Sequence, residues 1–265
     1  MNDLFVFIHI FKCGGSSMCH TLNSNMDKIN IKCDERIFVK SPYKSGEGWI
    51  KDIMLWKQKN LLGRNNKLVN ETFKSLENIK FIGGHMNLKV IENTFENKNL
   101  KTFCLFRNPI LRTISGIIYI GQKTNINITV ENVINKFKQK IKEYENKGGD
   151  HVYRGPFGGG NINSIKKKID GLSCILILED LDNLLIKLNK LLNKNNDKNN
   201  IKLDNVVKNK SNTKILSTSK IYDIIKKDEN LMKQYNKAFK NEIIIYNYAV
   251  NKYNEKYNCN IEKYK

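Results

Sequence analysis

Short apolar runs alternate along the chain with longer amphipathic segments. The runs at residues 4–10, 102–106 and 173–178 are continuously apolar, which is typical of strands buried on both faces of a parallel sheet. Shorter strands are predicted at residues 36–40 and 80–85. Helices are predicted at residues 16–26, 109–121, 130–144, 181–192, 218–227 and 229–256. The alternation predicts an α/β fold, a parallel sheet flanked by helices with a helical C-terminus.

Three polar segments interrupt this pattern. Residues 41–78 are weakly patterned and predict loops with one or two helices, whereas residues 148–160 hold six glycines and predict a mobile loop. Residues 193–212 are polar, low in complexity and also interpreted as a loop. The 265 residues are 40% hydrophobic, enough for one large core. We therefore predict a single domain over residues 1–265, with the helices of 218–256 packed on it.

The net charge of +20 is open to two interpretations. It could reflect an anionic partner such as a nucleotide, an acidic glycan or nucleic acid. It could equally be compositional drift, because Lys, Asn and Ile are all abundant and much of the lysine lies on predicted solvated helix faces. The charge alone does not choose between them.

The sequence disfavours disulfide-rich, metal-binding, membrane-spanning and secreted classes of protein. The six cysteines form no CxxC pair, and no histidine pair has metal-ligand spacing, so neither a disulfide framework nor a metal site is predicted. No apolar stretch approaches the roughly 18 residues of a membrane span, and no signal peptide is recognisable. The expectation is a soluble, intracellular protein of the cytoplasm.

A glycine loop follows the first predicted strand and precedes the first helix. It contains Lys12, Cys13, Gly14, Gly15, Ser16 and Ser17. Paired glycines allow a phosphate close to the backbone, and the free amides at a helix start favour an anion. Ser16 is predicted to cap the helix. The lysine precedes the glycines, so this is not a Walker motif. The alternative is a glycine turn that merely connects strand to helix.

Two further strand ends carry candidate chemistry. Arg107 ends a buried strand, Asn108 and Pro109 predict a capped helix, and Ser115 falls in its second turn. Arg107 and Ser115 could grip one phosphate, or could be an ordinary surface arginine and helix serine. His85 follows a strand end, where an imidazole could take a proton from an acceptor hydroxyl, although a lone histidine can also be structural.

Two of these segments together resemble one family. Residues 7–17, FIHIFKCGGSS, resemble the 5'-phosphosulfate loop of sulfotransferases that use 3'-phosphoadenosine 5'-phosphosulfate (PAPS), and residues 105–115, LFRNPILRTIS, resemble their 3'-phosphate segment. Gly84-His85 is similar to the dipeptide that supplies the base in the glycan 2-O-sulfotransferase branch. The chain departs from the usual pattern at Phe11 (proline), Cys13 (threonine) and Asn108 (aspartate).

The resemblance implies a P-loop-like sulfotransferase fold and a metal-independent transfer of a sulfuryl group from PAPS to a hydroxyl or amine acceptor. It assigns catalysis to Lys12 and His85. It assigns nucleotide binding to Lys12, Cys13, Gly14, Gly15, Ser16, Ser17, Arg107 and Ser115, and to a late basic loop of Lys210, Ser211 and Asn212. The favoured acceptor is a carbohydrate, and acidic carbohydrates are among the candidates.

Two other functions remain open at this stage. One is a P-loop-type nucleotide kinase or NTPase, which the sheet and loop would suit but the displaced lysine does not. The other is a non-catalytic module that binds acidic glycans or nucleic acid, which the charge suggests. No zinc finger, RNP or KH signature is visible, so no nucleic-acid partner is expected.

Overall fold

Five parallel strands form the centre of the protein in a computed structural model that describes residues 3–25, 31, 36–39, 79–124, 128–147, 151–192 and 217–264. The strands are β1 (Asp3–Ile8), β2 (Arg36–Val39), β3 (Phe81–Gly84), β4 (Asn99–Phe106) and β5 (Cys174–Ile177). Their order is β2-β3-β1-β4-β5, and each neighbouring pair is parallel. The predicted parallel α/β sheet is confirmed.

Ten α-helices are described around this sheet. They are α1 (Gly15–Asn25), α2 (Leu88–Thr94), α3 (Pro109–Lys123), α4 (Val130–Lys147), α5 (His151–Arg154), α6 (Ile162–Asp170), α7 (Leu181–Leu192), α8 (Thr218–Lys226), α9 (Glu229–Ala238) and α10 (Lys240–Tyr257). A 3-10 turn, Leu178–Asp180, joins β5 to α7. None of the helices in these ranges is long and apolar enough to cross a bilayer.

The sheet is covered on both faces, as its continuously apolar strands predict. On one face Phe7 and Phe103 pack with Met18 of α1 and Leu184 of α7. On the other face the opposite side chains of the same strands join a larger cluster, which includes α3, α4, α6 and the C-terminal helices. Alternation of side chains along a strand sends successive residues to these two layers.

The direction in which the chain connects its strands reverses between β1 and β4. After β1 the chain continues to β2, toward one edge of the sheet, and after β4 it continues to β5, toward the other edge. Since crossovers between parallel strands are right-handed, the two exits lie on opposite faces. Accordingly α1 packs in one core layer and α3 in the other. Ligands of such sheets bind at this point, beyond the carboxyl ends of the strands.

The C-terminal helices pack on this framework. Helix α8 contacts α3 and α4, α9 contacts α4, and α10 contacts α6, β5 and α3. The prediction of one helix over residues 229–256 is wrong, because the chain breaks at Phe239, whose φ of −101° and ψ of 16° end α9. The buried Phe239 ring stacks on Tyr235 and Tyr144, and this packing favours a bend over a continuous helix.

The described part of the glycine-rich segment, residues 151–160, contains a helix that the sequence did not predict. The short helix α5 lies within residues 148–160, and three left-handed glycines, Gly158 to Gly160, follow it. Tyr153 and Phe157 are buried against Phe106, so aromatic packing holds the segment despite its glycines. Helices α2 and α6 were not predicted. The predicted loop at residues 193–212 lies outside the described residues.

Candidate active site

The glycine loop turns sharply between β1 and α1. Lys12 and Gly14 have left-handed φ values of +62° and +77°, and the amide of Cys13 donates to the carbonyl of Ile10 at 3.2 Å. Helix α1 begins at Gly15, so Ser16 lies inside its first turn and the prediction that Ser16 caps the helix is wrong. The first-turn amides have no partner within a helix, which leaves donors for an anion.

Gly15 is fixed by its contact with His9. A Cβ atom on Gly15 would lie 1.8 Å from Cδ2 and 2.2 Å from Nε2 of His9. The sequence interpretation placed His9 within the first strand, whereas it lies one residue beyond β1, with its ring buried against the loop. The second glycine of the motif is therefore required by the imidazole beneath it.

The Cys13 side chain lies in the hydrophobic core. Its thiol is fully buried, and burial raises its pKa to about 12, so it stays protonated. Its amide is already bonded to Ile10. Cys13 therefore shapes the turn, and Gly14, Gly15 and the two serines are left to present donors.

Arg107 joins the ends of β1 and β4. Its Nη1 donates to the carbonyl of Lys12 at 3.1 Å across 95 residues of sequence. Burial lowers the pKa of Arg107, and the Glu179 carboxylate opposes this shift. A guanidinium has five N–H donors, so one bond to the loop leaves others to bind an anion. The contact brings the predicted loop and the predicted arginine into one site.

The ammonium group of Lys12 rests on aromatic rings. Its Nζ lies 3.0 Å from the ring centroid of Tyr119 and 5.5 Å from that of Phe11. Burial lowers the pKa of Lys12 to about 8, and the nearby charges of Arg107 and Lys123 contribute. The Lys123 ammonium lies 4.9 Å from the same Tyr119 centroid. Several positive charges therefore converge beside the loop, as a site for an anion requires.

Ser115 lies on the side of α3 that faces the loop. It precedes Tyr119 by one helical turn, so the two share a face. A Cβ atom on the adjacent Gly116 would be 3.8 Å from Cγ of Lys12 and from Cε1 of Phe11. The half-buried Ser115 hydroxyl is thus carried on the same helix face that packs against Lys12.

The end of β4 is held by a cap and a carboxylate. Asn108 Oδ1 accepts from the amides of Ile110 and Leu111 at 3.1 and 3.3 Å, which confirms the predicted N-cap. The Asn108 amide donates to Glu179 Oε1 at 3.0 Å, and Tyr246 donates to Oε2 at 3.2 Å. These bonds fix the turn that carries Arg107.

His85 and His9 form a stacked pair. His85 directly follows β3, and its ring centroid lies 3.9 Å from that of His9, with an angle of 23° between the planes. Burial lowers the pKa of His85, opposed by a hydrogen bond to the backbone of His9. The pKa of His9 falls to about 3 through burial and the charges of His85 and Lys12. Both rings are therefore neutral near pH 7.

Three predicted residues thus lie beyond the carboxyl ends of the adjacent strands β3, β1 and β4, namely His85, Lys12 and Arg107. The predicted late loop of Lys210, Ser211 and Asn212 lies outside the described residues. Sequence reasoning missed Tyr119 and Lys123, although their i, i+4 spacing along α3 was readable. Across the described ranges, no group of three or more His, Cys, Asp or Glu residues is arranged to hold a metal ion.

Comparisons with known proteins return no relatives. No protein-family model, curated protein or solved structure matches the chain.

Replacing Gly15 with alanine is expected to destabilise the protein by about 1–3 kcal/mol, because the new methyl group must displace the His9 ring or the loop. Urea unfolding measures the loss. The control is Gly155→Ala, where a Cβ meets nothing within 4 Å. Adding His9→Ala to Gly15→Ala should recover stability relative to the sum of the two single changes. A Gly15→Ala protein as stable as the Gly155→Ala control would contradict the packing argument.

Proposed function

We propose that this chain is a PAPS-dependent sulfotransferase that transfers a sulfuryl group to a hydroxyl or amine acceptor. The observation that carries the proposal is the 3.1 Å hydrogen bond from Arg107 to the carbonyl of Lys12. It places two segments, which resemble the two phosphate-binding segments of one family, side by side at the cleft of a parallel sheet. The proposal extends to the fold, which we assign to the P-loop-like sulfotransferase class.

The loop is proposed to hold the 5'-phosphate end of the nucleotide. Gly14 and Gly15 let the phosphate approach the backbone, and the first-turn amides of α1 point toward it. Ser16 and Ser17 stand in that first turn and add hydroxyl donors. The positive end of the 11-residue helix favours the anion further.

Arg107 and Ser115 are proposed to hold the 3'-phosphate. Arg107 is anchored by its hydrogen bond to the Lys12 carbonyl, so its remaining donors are preorganised. Ser115 approaches from α3, whose neighbouring residues touch the loop. A 3'-phosphate distinguishes this nucleotide from ATP, so this pair would set the choice of cosubstrate.

Lys12 and His85 are proposed to carry the transfer. In-line displacement at sulfur builds negative charge on the bridging oxygen that leaves, as in phosphoryl transfer. The Lys12 ammonium would leave the Tyr119 ring and neutralise that charge. The neutral His85 imidazole would accept the proton of the acceptor hydroxyl. The proposal requires no metal ion, because Lys12 and the amides supply the positive field.

The acceptor is proposed to be a carbohydrate. The resemblance of Gly84-His85 to the glycan 2-O-sulfotransferase branch supports this assignment, and the cluster of Lys12, Arg107 and Lys123 would suit an acidic chain. A transfer screen with labelled PAPS across glycan, phenol and peptide acceptors tests it. Labelling of a phenol or peptide alone would refute a carbohydrate acceptor and leave the transferase proposal intact.

Thermal unfolding with two nucleotides tests the class of enzyme. Adenosine 3',5'-bisphosphate without metal should raise Tm, since a ligand at 100 times its Kd stabilises by about 2.7 kcal/mol. ATP with Mg²⁺ should raise Tm much less. The opposite ranking would favour a nucleotide kinase or NTPase, and stabilisation by neither would favour a non-catalytic module.

A further inference from the structure

The stacked imidazoles lie at the ends of adjacent strands in the parallel sheet. Strand β1 pairs with β3 at Ile8 and Gly84, and the His9 amide continues this pairing with a 2.9 Å bond to the Gly84 carbonyl. The pairing fixes the backbone of both histidines in register. The rings then stack at 3.9 Å, and Phe7 stacks beyond His9 at 6.1 Å.

His85 is held at two points by the same neighbour. Its ring lies on the His9 ring at 3.9 Å between centroids, and a hydrogen bond with the His9 backbone raises the pKa of His85 against the effect of burial. A neutral imidazole donates from one ring nitrogen and accepts at the other, so the neutral His85 ring keeps one nitrogen able to take a proton. His9 itself is buried, with its ring packed against Gly15, so it has little freedom to move.

We infer that His9 is a positioning residue for proton transfer, whose ring holds the His85 ring by stacking so that a nitrogen of the neutral His85 can take the acceptor proton. This inference rests on the proposed function and deepens it. As the new oxygen–sulfur bond forms, the acceptor proton passes to the free nitrogen of His85. The sulfur–oxygen bond to the nucleotide breaks, and its electron pair leaves with the phosphate oxygen.

The stack also decides which ring receives the proton. Two imidazolium rings 3.9 Å apart would repel each other, so the pair takes up one proton at a time. The Lys12 charge and the greater burial of His9 disfavour a charge there. His85 therefore receives the proton, and the neutral His9 ring presents a π-face to the imidazolium that forms.

The same contact links the base to the glycine loop. Gly15 rests directly against the His9 ring, and His9 in turn supports His85. A movement of the loop would therefore move the ring that orients the base. His9 is thus the one bridge, among the contacts described, between the 5'-phosphate loop and the proposed base.

Two substitutions separate positioning from packing. His9→Asn removes the ring and is expected to lower kcat by on the order of 10-fold, while the affinity for adenosine 3',5'-bisphosphate changes less than about 3-fold. His9→Phe restores a ring for stacking and should recover much of kcat. The pKa of the His85 ring, measured by NMR titration, should move toward that of an ordinary histidine in His9→Asn and stay closer to the wild-type value in His9→Phe.

A double substitution tests whether His9 acts through His85. His85→Asn should lower kcat by on the order of 100-fold, and adding His9→Asn should cause little further loss, because the base is already gone. The inference would be overturned if the fold-losses in kcat of the two single variants multiplied in the double variant. It would also be overturned if His9→Asn kept both the wild-type kcat and the wild-type titration of His85. The NMR titration needs no acceptor. If the wild type proves unable to transfer sulfate, the proposed function fails, while the titration still decides whether His9 controls His85.

Discussion

Lys12→Ala is expected to lower kcat by at least about 100-fold with an identified acceptor. Charge on the leaving oxygen develops only in the transition state, so an ammonium aimed at it acts on kcat more than on KM. No described carboxylate pairs with Lys12, and its Nζ rests on the Tyr119 ring. Steady-state kinetics of sulfuryl transfer measures the effect.

A matched control lies on the same helix face. The Lys123 ammonium also lies near the Tyr119 ring, at 4.9 Å, yet it is carried by α3 and not by the loop. Lys123→Ala should therefore lower kcat by less than about 5-fold. Equal losses in the two variants would mean that the cluster attracts the nucleotide without singling out Lys12 for the chemistry.

The pH profile of Lys12 gives a second signature. Because the pKa of Lys12 is lowered to about 8, the ammonium is lost as pH rises through that value, and kcat/KM should fall there. Lys12→Arg should shift this alkaline limb upward, because a guanidinium remains charged. An alkaline limb that stays in place in Lys12→Arg would assign the titration to another group.

Arg112→Met is expected to lower the free energy of unfolding by about 3–5 kcal/mol. Arg112 forms a buried ion pair with Glu242 that ties α3 to α10, and the two side chains are 5% and 0% exposed. Burial alone would lower the pKa of Arg112, but the Glu242 carboxylate outweighs it and the pKa is raised. Removing the guanidinium would leave the Glu242 carboxylate buried and deprived of the Arg112 charge. Urea unfolding measures the loss.

Two further variants test this interpretation. Arg112→Met combined with Glu242→Leu should recover most of the lost stability, since buried ion pairs are often replaced by apolar residues at little cost. Lys140→Met removes the exposed pair with Glu143 and should cost less than about 1 kcal/mol. If Arg112→Met cost no more than Lys140→Met, the buried pair would not be a principal tie between α3 and α10.

Sequence patterns predicted the parts of the site that depend on local chemistry. The apolar runs that became β1, β4 and β5 are buried on both faces, which parallel strands require. Asn108 and Pro109 predicted the start of α3, because a side-chain acceptor and a fixed φ act within a few residues. The meeting of Lys12 and Arg107 followed from placing both at strand ends.

Contacts between distant residues were beyond such patterns. The stacking of His85 on His9 depends on β3 lying beside β1, and nothing in the spacing of 76 residues reveals that neighbour. The break at Phe239 depends on rings from α4 and α9. Helix α6, in contrast, had a readable signal: an Asn161 cap, then Ile165 and Ile169 one turn apart.

The most direct test measures whether Arg107 binds the 3'-phosphate of a nucleotide whose 5'-phosphate lies in the glycine loop. Calorimetry without metal would compare adenosine 3',5'-bisphosphate with 5'-AMP on the wild type and on Arg107→Ala. We predict that the 3'-phosphate improves wild-type affinity by about 10- to 100-fold and improves that of Arg107→Ala by less than about 3-fold, with 5'-AMP bound similarly by both. An equal benefit from the 3'-phosphate in both proteins, or no binding of the bisphosphate to the wild type, would contradict the proposal.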